Sequence, residues 1–175
     1  VGTSSLVSKS IGESDLFEAR KIVTHSLCIG IIVVLLISII GYNSIDWLFR
    51  MIGAKPTQLV HIHSYMSIWY LSVGFVVLPI IGNASIRATG DAKTPSLIMS
   101  GSALLNFILD PIFIFGWEII PPLGIKGAAF ATAISYSLTF FGSLFILYKK
   151  KNLIDFSHLN IQSFKISSVK ILSRA

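Results

Sequence analysis

Asp110 and Asn106 are the residues of this chain best equipped to bind a small cation. They stand four apart, so on a helix they share a face, and Ser102 carries that polar stripe one turn further. Pro111 follows directly. It brings no amide hydrogen, so the carbonyl of Phe107 loses its usual helical donor. A carboxylate, an amide oxygen and a freed carbonyl are hard oxygen ligands suited to Na+, and the carboxylate alone can carry H+. The setting gives the acid its weight. No other charged residue lies between Lys93 and Glu118, and an ionisable group inside a bilayer is costly enough to mark a functional site by default. The plainer alternative is that Asp110, five residues from Phe115, sits near the membrane surface and meets water.

That setting is a membrane one. Hydrophobic residues make up 53% of the chain, charged residues 13%, and mean hydropathy is +0.78; soluble domains carry about 25% charged residues. The expected fold class is all-α, a polytopic membrane helix bundle. Four stretches suffice for the roughly 20 apolar residues that a hydrocarbon core demands: Ile22–Tyr42, Leu59–Ile86, Pro95–Phe115 and Gly124–Tyr148. Residues 1–21 read as the end of a preceding helix followed by a loop, with a helix start at Ser14 ahead of Phe17 and Glu18. Residues 22–148 form the four-span segment. Residues 149–175 form a basic juxtamembrane segment with interleaved apolar residues, either an interfacial helix or a linker. Eleven of the fourteen Lys and Arg fall at one end of the spans. The positive-inside rule then makes that end, and both ends of the chain, cytoplasmic in a cell inner membrane. Trp47 and Trp117 fall in the opposite loops, as interfacial anchors should. The net charge of +6 does not indicate nucleic-acid binding, because the basic residues cap apolar runs rather than share a face. Cys28 is the only cysteine, which excludes a disulfide framework. The chain opens at Val1 inside what reads as a helix and closes at Ala175 as another begins, as expected of an internal piece of a longer protein.

Several other residues invite a role. Gly124, Ala128 and Thr132 recur at four-residue spacing, as do Gly127, Ala131 and Ser135; small residues so placed let helices approach closely in lipid. The Thr132 hydroxyl could complete a polar site if its helix packs on Asp110. Tyr65, Trp69 and Tyr70 could line a cavity for flat organic cations through cation–π contact, or simply pack. Pro79, like Pro111, is a helix-kink candidate. His61 and His63 are two apart and do not share a helical face, so a metal site there is not expected. In the inner loop, Gly90 permits a turn, and Asp91 suits the start of the next helix.

The stretches SLVSKSIGESDLFEARK (Ser5–Lys21), IRATGDAKTP (Ile86–Pro95), LLNFILDPIFIFG (Leu104–Gly116) and PPLGIKGAAFATAIS (Pro121–Ser135) together resemble the multidrug and toxic compound extrusion (MATE) transporters. The NxxxD pattern looks like the DinF-type branch, and the order of the stretches is similar to the family's amino-terminal six-helix half. The resemblance implies a non-enzymatic secondary antiporter that exports small cationic organic compounds in exchange for Na+ or H+, with no cofactor beyond the coupling ion. It implies the lipid bilayer and a missing carboxy-terminal half as partners, and no nucleic acid. Motif to motif, Asn106 and Asp110 take fifth-helix roles in a cation site and Thr132 the sixth-helix role. A lipid-linked-precursor flippase of the same superfamily is the first alternative, though it would call for basic residues in mid-span. An intramembrane enzyme using Asp110 is the second, though an aspartyl mechanism needs two coupled acids.

Overall fold

A computed structural model describes residues 2–154. Five α-helices follow one another: α1 (Gly2–Gly12), α2 (Leu16–Met51), α3 (Pro56–Ala88), α4 (Lys93–Phe115) and α5 (Ile125–Phe145). A π-helical turn, Ile146–Lys150, closes α5. Four of the helices, α2 to α5, are long and apolar enough to cross a membrane. The segment 155–175, most of the expected basic tail, lies outside the described residues.

The helices outrun the apolar stretches that announce them. α2 has 36 residues, about 54 Å at 1.5 Å per residue, against a hydrocarbon core of about 30 Å. The expected loop from Asn43 is therefore helical as far as Met51, and Trp47 sits on α2 rather than in a loop. The reason is local. Asn43 Nδ2 donates to the Ile39 carbonyl and Ser44 Oγ to the Ile40 carbonyl, so these polar side chains bond back to their own helix and do not end it. α2 begins one residue later than expected: Asp15, not Ser14, is the cap, its carboxylate accepting from Glu18 N at 2.9 Å. At α3, Pro56 fills the first turn. Both α3 and α4 continue through their internal prolines, Pro79 and Pro111.

In space the order differs from the chain. α3 packs between α2 and α5, and α4 lies chiefly against α5. Close approach rests on small residues. Gly30 of α2 admits Leu78 and Ile81 of α3, Gly82 of α3 admits Ser143 of α5, and Gly142 of α5 admits Ile98 of α4. The buried core gathers at the Lys-rich end, where Val7, Val23, Ile86, Leu147 and Leu153 are shut from solvent. Leu153 and Ile154 belong to that core, so the chain after α5 turns back into the bundle before continuing. α4 buries only Pro95 and Ser102. Its Leu104, Phe107, Ile108 and Phe115 are exposed, as suits a helix bathed in lipid or in other helices.

The α4–α5 connection fixes how these two helices cross. Trp117 and Ile120 exchange backbone hydrogen bonds, while Leu123 N and Gly124 N donate to the carbonyls of Phe113 and Ile114. Gly116 enters this turn at φ 84°, and a Cβ there would meet the Ile120 carbonyl and Pro122 nitrogen at 2.9 Å. Only glycine takes that conformation and that space.

Candidate functional site

On α4 the stripe Ser102, Asn106, Asp110 forms as the spacing requires. Asn106 Nδ2 donates to Asp110 Oδ1 at 3.4 Å, longer than the usual 2.7–3.2 Å for N–H···O. Both side chains are half-buried. The acid is thus held loosely by an amide, with Pro111 beside it, and keeps lone pairs for a cation or a proton.

Below this pair a cavity of about 410 Å³ opens between α3, α4 and α5, within the size range of small-molecule sites. Asn83 and Arg87 of α3, Ser102 and Asn106 of α4, and Ser135 and Thr139 of α5 line it, with Pro79, Met99 and Tyr136 among its apolar walls. Ser102 Oγ donates to the Ser135 carbonyl at 2.5 Å and staples α4 to α5. Asn83, Ser135 and Thr139 are 3%, 1% and 3% exposed. Their Oδ1, Oγ and Oγ1 atoms are buried without a partner among the described residues. Buried polar atoms are costly when unpaired, so three of them around one cavity suit a ligand or bound water.

Asn83, Arg87, Ser135 and Thr139 belong to no binding motif in the sequence and are not among its expected site residues. One signal could have found them: Asn83 and Arg87, Ser102 and Asn106, and Ser135 and Thr139 are each spaced four apart. Three helices thus carry a polar pair on one face, but which faces meet is not local information.

Thr132 lies on the same α5 face as Ser135 and Thr139, by three- and seven-residue spacing. α4 and α5 are antiparallel, with Ile98 against Gly142, Ser102 against Ser135 and Phe113 against Gly127. That register sets Thr132 near the height of Asn106, so the polar seam continues toward Asp110 on both helices. Tyr65, Trp69 and Tyr70 sit nearer the other end of α3. The rings of Trp69 and Tyr70 meet edge-on at 5.3 Å, and Tyr70 fills the space left by Gly41 of α2. Tyr70 therefore serves the α2–α3 contact. His63 pairs with Ser67 at 3.2 Å and its ring lies edge-on to Tyr42. Among the described residues no group of three His, Cys, Asp or Glu gathers to hold a metal ion.

At the Lys-rich end, Asp91 accepts from Thr94 N at 3.0 Å and from Thr94 Oγ1 at 2.8 Å, and pairs with Lys151 Nζ at 3.2 Å. The Thr94 amide, then its hydroxyl, then the Lys151 ammonium hold this carboxyl down at about 2. The α3–α4 turn is thereby tied to the segment that leaves α5.

Comparison with known proteins gives this arrangement relatives. The MatE family profile matches residues 1–112. A Shewanella oneidensis protein named FAD transporter is 33% identical over 170 residues, covering 97% of this chain and 38% of its own length. The Staphylococcus aureus multidrug export protein MepA is 32% identical over 165 residues, covering 94% and 35%. The inward-facing structure of a multidrug resistance MATE transporter of the MOP superfamily superposes with a TM-score of 0.85 at 31% identity, covering 99% of this chain and 39% of that one. The chain thus spans under two fifths of the length of these relatives, and they are transporters rather than enzymes. Four apolar spanning helices, a polar seam through three of them and a family profile over most of the length agree: this chain belongs to the MatE family of membrane transporters.

Proposed function

We propose that this chain forms part of a secondary antiporter that exports organic compounds across a bacterial inner membrane in exchange for Na+ or H+. Its Lys-rich end faces the cytoplasm, by the positive-inside rule. Asp110 is the coupling group, Asn106 its hydrogen-bond partner, and Thr132 a hydroxyl at matching height on the neighbouring helix. When Asp110 takes up a cation its charge is neutralised, the helix around Pro111 can rearrange, and the cavity below loses affinity for its substrate. The observation that carries this reading is the Asp110–Asn106 pair on a span with no other charge between Lys93 and Glu118.

Small organic cations are the first substrate class, in keeping with the multidrug export named for the staphylococcal relative. A second reading, a substrate carrying an anionic group as FAD does, is favoured by Arg87 on the cavity wall. A lipid-precursor flippase is less well supported, because among the described residues a single basic side chain, Arg87, lines the cavity.

The test is Asp110→Asn in the full-length protein. Cation-coupled dye efflux is expected to be lost while the protein remains in the membrane at normal abundance. Efflux at the wild-type rate, with the same dependence on Na+ or pH gradients, overturns the coupling role.

A further inference from the structure

We propose that Arg87 reads an anionic group, a carboxylate or phosphate, on the transported molecule, and so sets which compounds this cavity accepts. The inference rests on the efflux reading above and deepens it. Arg87 lies one helical turn from Asn83, roughly 6 Å along α3, and lines the same cavity. Its side chain is exposed, and among the described residues it makes no ion pair. The nearest acid in sequence, Asp91, is committed to Thr94 and Lys151.

The cavity therefore carries its charge at one end. The Arg87 guanidinium stands at its Lys-rich mouth, and Asn106 lines it one turn beyond Ser102, roughly 6 Å along α4. Between them lie the unpartnered oxygens of Asn83, Ser135 and Thr139, which offer hydrogen bonds to the body of a ligand. Met99 and Tyr136 supply apolar surface. A flat organic molecule with an anionic group at one end matches this order of chemistry. A purely cationic one leaves Arg87 unused and binds more weakly. Guanidinium is the group best shaped for such recognition, because it presents paired N–H donors to two oxygens at once.

The test uses two dyes of one skeleton, a rhodamine with a free benzoate and its methyl ester, bound to the full-length protein in uncharged detergent and followed by fluorescence polarisation. The wild type is expected to bind the free acid about tenfold more tightly than the ester, as a charge-assisted hydrogen bond allows. Arg87→Gln should bring the ratio close to one, and Arg87→Lys should keep part of it. Lys93→Gln, at the start of α4 and outside the cavity lining, should keep all of it. Equal affinities in the wild type, or a preference that survives Arg87→Gln, overturn the proposal. The second of these results would show that the preference is set elsewhere in the protein. Gradient-driven efflux of the ester that still depends on Asp110 leaves the antiport reading standing in either case, so the two failures are separable.

Discussion

Gly127→Ala is the substitution whose cost this fold states most directly. A Cβ at Gly127 would stand 2.9 Å from the Ile114 nitrogen, and closer still to the carbonyl carbon and oxygen of Phe113. These are backbone atoms, which cannot swing aside. Carbon settles against neighbours at about 3.5–4.0 Å, so α5 must retreat from α4 by about an ångström at this point. Overpacking of this kind costs about 1–3 kcal/mol. The retreat also reaches Ser102 Oγ, which donates to the Ser135 carbonyl at 2.5 Å two turns further along. Opening that contact by an ångström takes it out of hydrogen-bonding range, adding about 0.6 kcal/mol, the average for such bonds in membranes. The assay is thermal unfolding of the full-length protein in detergent, paired with dye efflux in cells. Gly101→Ala, where a Cβ meets nothing within 4 Å, is the control. Gly127→Ala should melt clearly below the wild type and export more slowly, while Gly101→Ala should match the wild type. A Gly127→Ala protein with wild-type melting and efflux refutes the α4–α5 register on which the polar seam depends.

Two further outcomes follow from the same contacts. Ser102→Ala removes the α4–α5 staple but leaves no large void, so it should lower stability by about 0.6–2 kcal/mol and weaken dye binding, as measured by unfolding and fluorescence titration. Asp91 titrates at about 2 in the folded protein, below the ordinary carboxylate value of about 3.9. Its contribution is therefore complete above about pH 4 and is lost as pH falls through 2. Asp91→Asn should flatten the stability profile in that acid window, and an unchanged profile would show that the link to Thr94 and Lys151 does not matter to folding.

Much of the fold was open to reading because its signals are local. Each apolar run of about 20 residues must become a helix in lipid, where no other open backbone satisfies itself. Asn106 and Asp110 meet because four residues make about one turn, whatever surrounds them. The helix limits were less legible. Nothing in hydropathy says that Asn43 and Ser44 bond back to their own helix, so α2 runs to Met51 where a loop was expected. The cavity was the least legible part. Asn83 is separated from Thr139 by most of two spans, and nothing local relates their polar pairs until α3 and α4 both pack against α5.

The two small-residue rows on α5 mark the same boundary. Composition and period established that this helix would pack tightly, and that one acid would sit beside one amide in an apolar span. They left open which row would turn inward. The folded chain buries Gly127, Ala131 and Ser135 and leaves Gly124 exposed. Hydropathy and helical period are properties of one segment and its solvent. The choice of face is settled only when the backbone of Phe113, the side chain of Ile98 and the hydroxyl of Ser102 arrive from another helix.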